Sequence, residues 1–400
     1  MGKSGSRVVF VSSMAGPAWG GSEELWSQAA ATLARRGHKV YAVLPNVANR
    51  PAHPRIADLQ KSGVNVQWWP KPAFRKEFFQ MIYQQLRARL KFPRRDSTIW
   101  FRKSLEEINS SLAVFSSGNN DFPTALIQHC RILKIPYVLI SQATYEYNWP
   151  ADARATEMRD YFQNAAAAFF VCRENLETTR LMAGLAGENF RIARNPFNVP
   201  YDIELPWPGE TGVARFAFVG CLEPNTKGCD LVLRALANPV WKTRPVEMHF
   251  YGRGNSENGV RRMAELLGVA HCFFHGHVDD VTEIWRQNHL LVLPSRFEGL
   301  PLAIVEAMLC GRPCVVTDVA GNAELLEDNV SGFIAAGSTV KCVAEALKRA
   351  WQQREQWPQM GQAAAKAIRA NFPSNPAAEF TEQLLKLVEV NRLSENSSAD

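Results

Sequence analysis

Short apolar runs alternate with helical patterns along most of the chain, and this alternation constrains the fold more than any other feature. Arg7 to Ser13 reads as a buried strand, Ser22 to Arg36 as a helix closed by Gly37, and His38 to Leu44 as the next strand. Leu112 to Ser116, Tyr137 to Ser141 and Ala166 to Cys172 repeat the strand signal, with a helical pattern from Pro123 to Lys134 between two of them. Such alternation predicts an α/β fold in which helices cover both faces of a parallel sheet. The handedness of the crossovers then makes a Rossmann-like layer sandwich the default.

Between Asn195 and Gly212 the pattern lapses, and Pro196, Pro200, Pro206 and Pro208 fall close together, as in an extended linker. Alternation resumes with strands at Ala214 to Val219, Val246 to Tyr251, Leu290 to Leu293 and Pro313 to Thr317. Helices are expected near Asp230 to Ala237, Asn258 to Leu267 and Leu302 to Leu309. The expected organisation is one Rossmann-like domain over 1–198 and a second over 199–374. A C-terminal helix over 375–393 can pack back on the first domain, and a polar tail at 394–400 is too hydrophilic to fold. Ligands of open parallel sheets bind beyond the carboxyl ends of the strands, so two such domains face to face would enclose a cleft.

A chain of 400 residues, 46% hydrophobic and 21% charged, has the composition of a globular protein with two cores. No run of eighteen apolar residues appears, and the first residues lack a secretory layout, so a cytoplasmic location is expected. The eight cysteines form no CxxC pair and sit mostly in apolar runs, where Cys behaves as a small hydrophobe. The cluster His271-Cys272-Phe273-Phe274-His275-Gly276-His277 suggests zinc, but on a strand residues 271, 273, 275 and 277 share a face that excludes Cys272. No metal site is expected. The net charge is +6, yet between Ala73 and Lys103 nine basic residues stand against two acidic ones. No nucleic-acid-binding signature accompanies them, so nucleic acid is not an expected partner.

The most informative segment runs Pro294-Ser295-Arg296-Phe297-Glu298-Gly299-Leu300-Pro301 into a helix containing Glu306. Pro301 suits the first turn of that helix and Gly299 permits close backbone approach, which together predict a helix N-terminus open to a diphosphate. Glu298 precedes the helix and Glu306 lies within it, so the pair can reach two parts of one ligand. Carboxylates accept hydrogen bonds from hydroxyls, which makes a sugar and a ribose sensible targets.

The run from Glu298-Gly-Leu-Pro through Glu306-Ala-Met-Leu-Cys-Gly-Arg-Pro-Cys-Val-Val-Thr-Asp to Gly321, Glu324 and Gly332-Phe-Ile closely resembles the donor-binding signature of family 4 of the retaining glycosyltransferases, which have the GT-B fold. Phe218-Val219-Gly220-Cys221-Leu222-Glu223-Pro224-Asn225-Thr226-Lys227-Gly228 resembles that family's strand-loop motif, in which an arginine and a lysine neutralise the leaving diphosphate. Lys227 matches the lysine. Cys221 stands in the arginine's place, and a thiol cannot replace guanidinium; Arg253, in Tyr251-Gly252-Arg253-Gly254, is the candidate to compensate. Gly20-Gly21-Ser22-Glu23 is similar to the family's glycine loop near the donor. Where the family often has a histidine facing the donor sugar, this chain has Gln142, which donates a hydrogen bond but carries no charge.

The resemblance implies two Rossmann-like domains facing across a central cleft and transfer of a hexose from a nucleotide-diphosphate sugar; the residues do not specify the base, and UDP is the expectation favoured over GDP. The acceptor would be a glycan or lipid-linked molecule of cell-surface polysaccharide, lipopolysaccharide or glycolipid synthesis. Lys227 and Glu298 would be catalytic; Gly20, Gly21, Arg253, Gly299, Leu300, Pro301 and Glu306 would bind the donor, with Gln142 against its sugar. No cofactor or metal is expected. Acceptors of this fold bind the first domain, where Phe78, Ile82, Leu86 and Leu90 recur every fourth residue among the basic residues of 73–103. Such a helix can lie on an anionic membrane at its inner face; the alternative is an ordinary helix that packs its stripe into the core. Cys221 and Gln142 also fit a weak or inactive nucleotide-sugar-binding partner protein. A third reading is a nucleotide-sugar epimerase or NAD enzyme, although no Gly-x-Gly-x-x-Gly follows the first strand.

Overall fold

The computed structural model of the protein describes residues 5–14, 18–69, 98–209 and 212–397, with side chains as far as residue 390. The described residues build two sheets. The first contains β1 (Arg7–Ser12), β2 (Lys39–Leu44), β3 (Asn65–Trp68), β4 (Leu112–Ser117), β5 (Tyr137–Ser141), β6 (Ala167–Phe170) and β7 (Phe190–Ile192). The second contains β8 (Ala214–Val219), β9 (Val246–Tyr251), β10 (Cys272–Gly276), β11 (Leu290–Leu293), β12 (Cys314–Thr317) and β13 (Gly332–Ala335). The spatial orders are β3-β2-β1-β4-β5-β6-β7 and β10-β9-β8-β11-β12-β13. Neighbouring strands pair in parallel throughout both sheets.

Strand order reverses between β1 and β4 in the first sheet and between β8 and β11 in the second. At such reversals the crossover helices run to opposite faces and leave a crevice beyond the strand ends. The glycine loop leaves β1, the Lys227 loop leaves β8 and the Pro294–Pro301 loop leaves β11. All three segments singled out in the sequence therefore start at reversal points.

Alternation of side chains along β1 divides the first domain's interior. Val8 and Phe10 join Leu25, Trp26 and Ala29 of helix Gly21–Arg35, whereas Val9 and Val11 join Phe101 and Leu105 of helix Ile99–Ile108. The second domain has one continuous core around Phe216, Phe218, Leu291 and Ile304. The closing helix, Pro376–Ser397, returns to the first domain: Phe380, Leu384 and Val388 enter its core, and Phe380 stands edge-on to Phe169 at 5.0 Å. This helix continues four residues into the segment 394–400 expected as a disordered tail, while 398–400 lie outside the described residues. The basic stretch 73–103 also lies outside them, apart from 98–103 at the start of helix Ile99–Ile108. Among the described residues no helix is long and apolar enough to cross a membrane.

One ion pair is almost wholly enclosed in the first domain. Arg50 Nη2 donates to Glu23 Oε1 at 3.0 Å, with side chains 1% and 2% exposed. Ser12 Oγ also donates to Glu23 Oε1, at 3.1 Å, and Arg50 Nε donates to Ala18 O at 2.9 Å. Burial raises the Glu23 carboxyl above its ordinary range, opposed by the Trp26 indole N–H and by Arg50. Removing one member of such a pair strands its partner's charge. Arg50→Met is therefore expected to lower unfolding stability by about 3–5 kcal/mol, read from urea denaturation; a change under about 1 kcal/mol would show that Glu23 does not depend on it.

Candidate functional site

The loop after β11 is strapped to the loop after β8. Arg296 N and Phe297 N donate to Thr226 O at 2.8 and 3.2 Å. The Arg296 guanidinium spans both carboxylate oxygens of Asp230 at 2.6 and 2.9 Å and donates to Pro224 O at 2.5 Å. Asp230 lies in the first turn of helix Cys229–Leu236, where its charge also favours the helix dipole. A bidentate Arg–carboxylate pair fixes both position and angle. Thr317 Oγ1 adds a bond to Ser295 O at 2.6 Å.

This strap brings Lys227 and Glu298 together across 71 positions of sequence. Lys227 Nζ donates to Glu298 Oε1 at 2.6 Å, and Ser295 Oγ donates to the same oxygen at 2.7 Å. The Glu298 side chain is 7% exposed and that of Lys227 25%. An ammonium has three donors, so the bond to Glu298 leaves two for a second ligand.

The pair faces the first domain. A side chain at Gly299 would meet Gln142 O at 1.9 Å and Val171 Cγ2 at 2.7 Å, so only glycine lets the two backbones meet there. Phe297 packs against Tyr147 and Tyr145 at ring-centroid distances of 4.4 and 5.6 Å. Leu300 is buried, and a side chain at Gly21 in the glycine loop would meet Leu302 Cδ1 at 3.2 Å. Gly20 caps the following helix through its carbonyl, which accepts from Glu23 N at 2.9 Å. Gly20, Ser13, Glu23, Asn119 and Tyr145 help to line a cavity of about 710 Å³ in the first domain. Gln142 Oε1 accepts from Asn195 Nδ2 at 2.7 Å, while its Nε2 has no partner among the described residues.

Pro301 stands at the N-cap of helix Leu302–Leu309 rather than in its first turn, and no side chain caps that end. Its extended backbone explains the difference: the carbonyl of Pro301 accepts from Ile304 N at 3.2 Å, so the helical turn starts one residue later. Glu306 is 3% exposed. Its Oε1 accepts from both Asn198 N and Asn198 Nδ2, at 3.0 and 2.9 Å, and burial raises its carboxyl above the ordinary range while these bonds oppose the rise. Arg253 is exposed; its carbonyl accepts from Leu222 N at 3.1 Å and its guanidinium leans over Gly276 at the end of β10. Cys221 is an exposed free thiol.

The sequence reading passed over Arg296, Asp230 and Asn198. Two had a faint signal, since Arg296 lies inside the Pro294–Pro301 segment and Asp230 is the one carboxylate in a mostly apolar helix. The histidine run resolves differently: His275 Nε2 meets His249 Nδ1 of β9 at 2.9 Å, and Cys272 does not share that contact. Among the described residues no group of three or more His, Cys, Asp or Glu side chains is placed to hold a metal ion.

Two parallel-sheet Rossmann-like domains meeting at this loop define the GT-B fold of glycosyltransferases. Residues 214–353, which hold the second sheet, match the family "Glycosyl transferases group 1". It is 30% identical over 213 residues to a D-inositol 3-phosphate glycosyltransferase of Streptomyces griseus, a match covering 50% of this chain and 43% of the relative. It is 36% identical over 74 residues to an Escherichia coli UDP-Gal:alpha-D-GlcNAc-diphosphoundecaprenol alpha-1,3-galactosyltransferase, covering 18% and 19%. The chain thus spans less than half the length of these curated relatives. In fold it resembles Anabaena HepE in complex with UDP, with a TM-score of 0.73 and 15% identity over 95% of this chain and 100% of that one.

The strap yields a direct test. In Asp230→Asn the amide cannot hold both guanidinium nitrogens as a carboxylate does, so amide exchange at Arg296 and Phe297 should quicken by about tenfold or more. Unchanged protection by NMR or mass spectrometry would show that the loop holds itself without Arg296.

Proposed function

We propose that this chain is a retaining glycosyltransferase that moves a hexose from a nucleoside-diphosphate sugar, UDP in preference to GDP, to a glycan or lipid-linked acceptor. The observation that carries the reading is the Lys227–Glu298 contact of 2.6 Å beside Gly299, which touches Gln142 of the opposite domain. An ammonium, a carboxylate and an uncapped helix start converge there, and this combination suits a pyrophosphate joined to a sugar.

In this reading Lys227 turns its two remaining donors to the diphosphate, and the amino end of helix Leu302–Leu309 takes part of the same charge. The bond from the anomeric carbon to the diphosphate oxygen breaks, and the acceptor hydroxyl oxygen bonds to that carbon from the same face. The departing diphosphate receives the hydroxyl proton. Stabilising charge as it develops on the leaving group is where fixed donors contribute most. Glu298 orients the sugar and the Gln142 amide meets one of its hydroxyls. Glu306 meets the ribose through Oε2, since Oε1 serves Asn198. Gly20, Gly21, Leu300 and Pro301 shape the wall, and Arg253 reaches the diphosphate only by swinging away from Gly276. Neither a metal nor a cofactor is invoked.

The acceptor would enter the cavity lined by Gly20 and Tyr145. A cytoplasmic protein resting on the inner face of a membrane through 73–103, and acting in cell-surface polysaccharide, lipopolysaccharide or glycolipid synthesis, fits this reading. UDP is favoured because HepE, a protein of similar fold, is known in complex with UDP. The exposed Cys221 supports a second reading, a nucleotide-sugar-binding partner with little turnover, because the diphosphate would lack one arginine.

Thermal shift with UDP, GDP and their sugars tests both readings. A nucleotide at 100 times its dissociation constant should stabilise the fold by about 2.7 kcal/mol, and slow release of free sugar from the donor separates the transferase from the silent partner. Stabilisation by none of these ligands would sink both. Glu306→Gln should fold and weaken the nucleotide shift, whereas Glu306→Ala should also cost about 1–3 kcal/mol because Asn198 loses its acceptor. Equal shifts in wild type and Glu306→Gln would remove the ribose role.

A further inference from the structure

Glu324 belongs to the second domain, on the short helix Asn322–Leu325 after β12, yet its carboxylate serves residues outside that domain. Its Oε1 accepts from Glu174 N at 3.0 Å, and its Oε2 accepts from Arg194 Nη2 at 3.3 Å. Glu174 lies in the first turn of helix Arg173–Ala183, where N–H groups have no acceptor inside the helix. The helix's own cap is Cys172, whose sulfur accepts from Asn175 N at 3.4 Å. Thiol sulfur is a weak acceptor, so the negative charge that suits this helix start comes from the other domain.

Arg194 is itself fixed. Its Nη1 donates to Val171 O at 2.6 Å, and its guanidinium lies 5.9 Å from the centre of the Phe372 ring. The side chains of Arg194 and Glu324 are 18% and 20% exposed, so solvent screens the pair less than an open surface pair. Three residues before Glu324, Gly321 N donates to Gly299 O at 3.0 Å. A side chain at Gly321 would meet Leu300 Cδ1 at 2.5 Å and Cys172 Cβ at 2.8 Å. Glu324 therefore grips the Cys172–Glu174 turn while its own segment presses on the same turn and holds Gly299, one residue from Glu298.

We propose that Glu324 is a positioning residue for the reaction: by capping helix Arg173–Ala183 and pairing with Arg194, it sets where Lys227 and Glu298 stand against Gln142. It touches no reacting atom. The proposal rests on the reading of the cleft as a donor-sugar site, and it separates two properties of that site. Nucleotide binding draws on the second domain, whereas sugar alignment needs both domains in register.

The test compares wild type, Glu324→Ala, Glu324→Gln and Arg194→Ala in the full chain, using UDP and GDP binding, donor hydrolysis and small-angle X-ray scattering. In Glu324→Ala the affinity for the nucleotide that wild type binds should stay within about twofold, because that grip lies elsewhere. The kcat of donor hydrolysis should fall about tenfold or more as alignment is lost, and the radius of gyration should rise. Glu324→Gln keeps an oxygen for Glu174 N–H and should fall between wild type and Glu324→Ala; it carries the comparison if the alanine variant fails to melt cooperatively. Arg194→Ala and Glu324→Ala should combine non-additively, as neighbours in one network do. Wild-type kcat and scattering in both Glu324 variants would overturn the proposal. A wild-type protein that binds neither nucleotide would instead overturn the donor-site reading, and scattering would still show whether Glu324 holds the domains together.

Discussion

The bidentate contact between Arg296 and Asp230 is the constraint on which the rest of the site depends. Their side chains are engaged with each other, and without them only the two backbone bonds to Thr226 and the Lys227–Glu298 bond itself, among the described residues, would tie the loop after β11 to the Lys227 loop. A lysine and a glutamate far apart in sequence would pay considerable side-chain entropy to stay together unaided. The strap transfers that cost to a rigid element, since Asp230 sits in a helix whose other side chains are mostly core. Charge pairing at the centre of the site is thus a product of charge pairing one layer beneath it.

The parts of the fold that were legible in the sequence are those with a strong local period. β1, β5, β8, β9 and β11 coincide closely with the apolar runs, and helix Leu302–Leu309 begins and ends where its pattern does. β3, β7 and β13 were missed for a physical reason. Each has three or four residues and, unlike the equally short but wholly apolar β11, is not a continuous apolar run: β3 and β7 carry polar residues and β13 opens on a glycine. Such short strands at the two margins of a sheet take their conformation from the neighbour they pair with.

The candidate site was legible to a different degree at each residue. Lys227, Glu298 and Gly299 converge because the motif spacing fixes loops of fixed length after β8 and β11. The bonds of Glu306 to Asn198, which join helix Leu302–Leu309 to the linker, are something no spacing could convey. The neighbours of Gln142 were equally hidden, since Gly299 beside its carbonyl and the Asn195 amide at its side chain come from contacts across long sequence separations. Tertiary contacts of this kind decide which polar atom stays open to a ligand, and composition holds no trace of them.

The closing helix gives the molecule an unusual connectivity between its halves. The chain crosses from the first domain to the second through the proline-rich linker and returns at Phe372–Pro376 to place Phe380, Leu384 and Val388 in the first core. The first half is therefore completed by a segment that follows the whole second half in the sequence. A ribosome releases that segment only after the whole second half has emerged, so the first half cannot finish its interior until then. Its final packing awaits the closing helix, although its sheet is encoded long before.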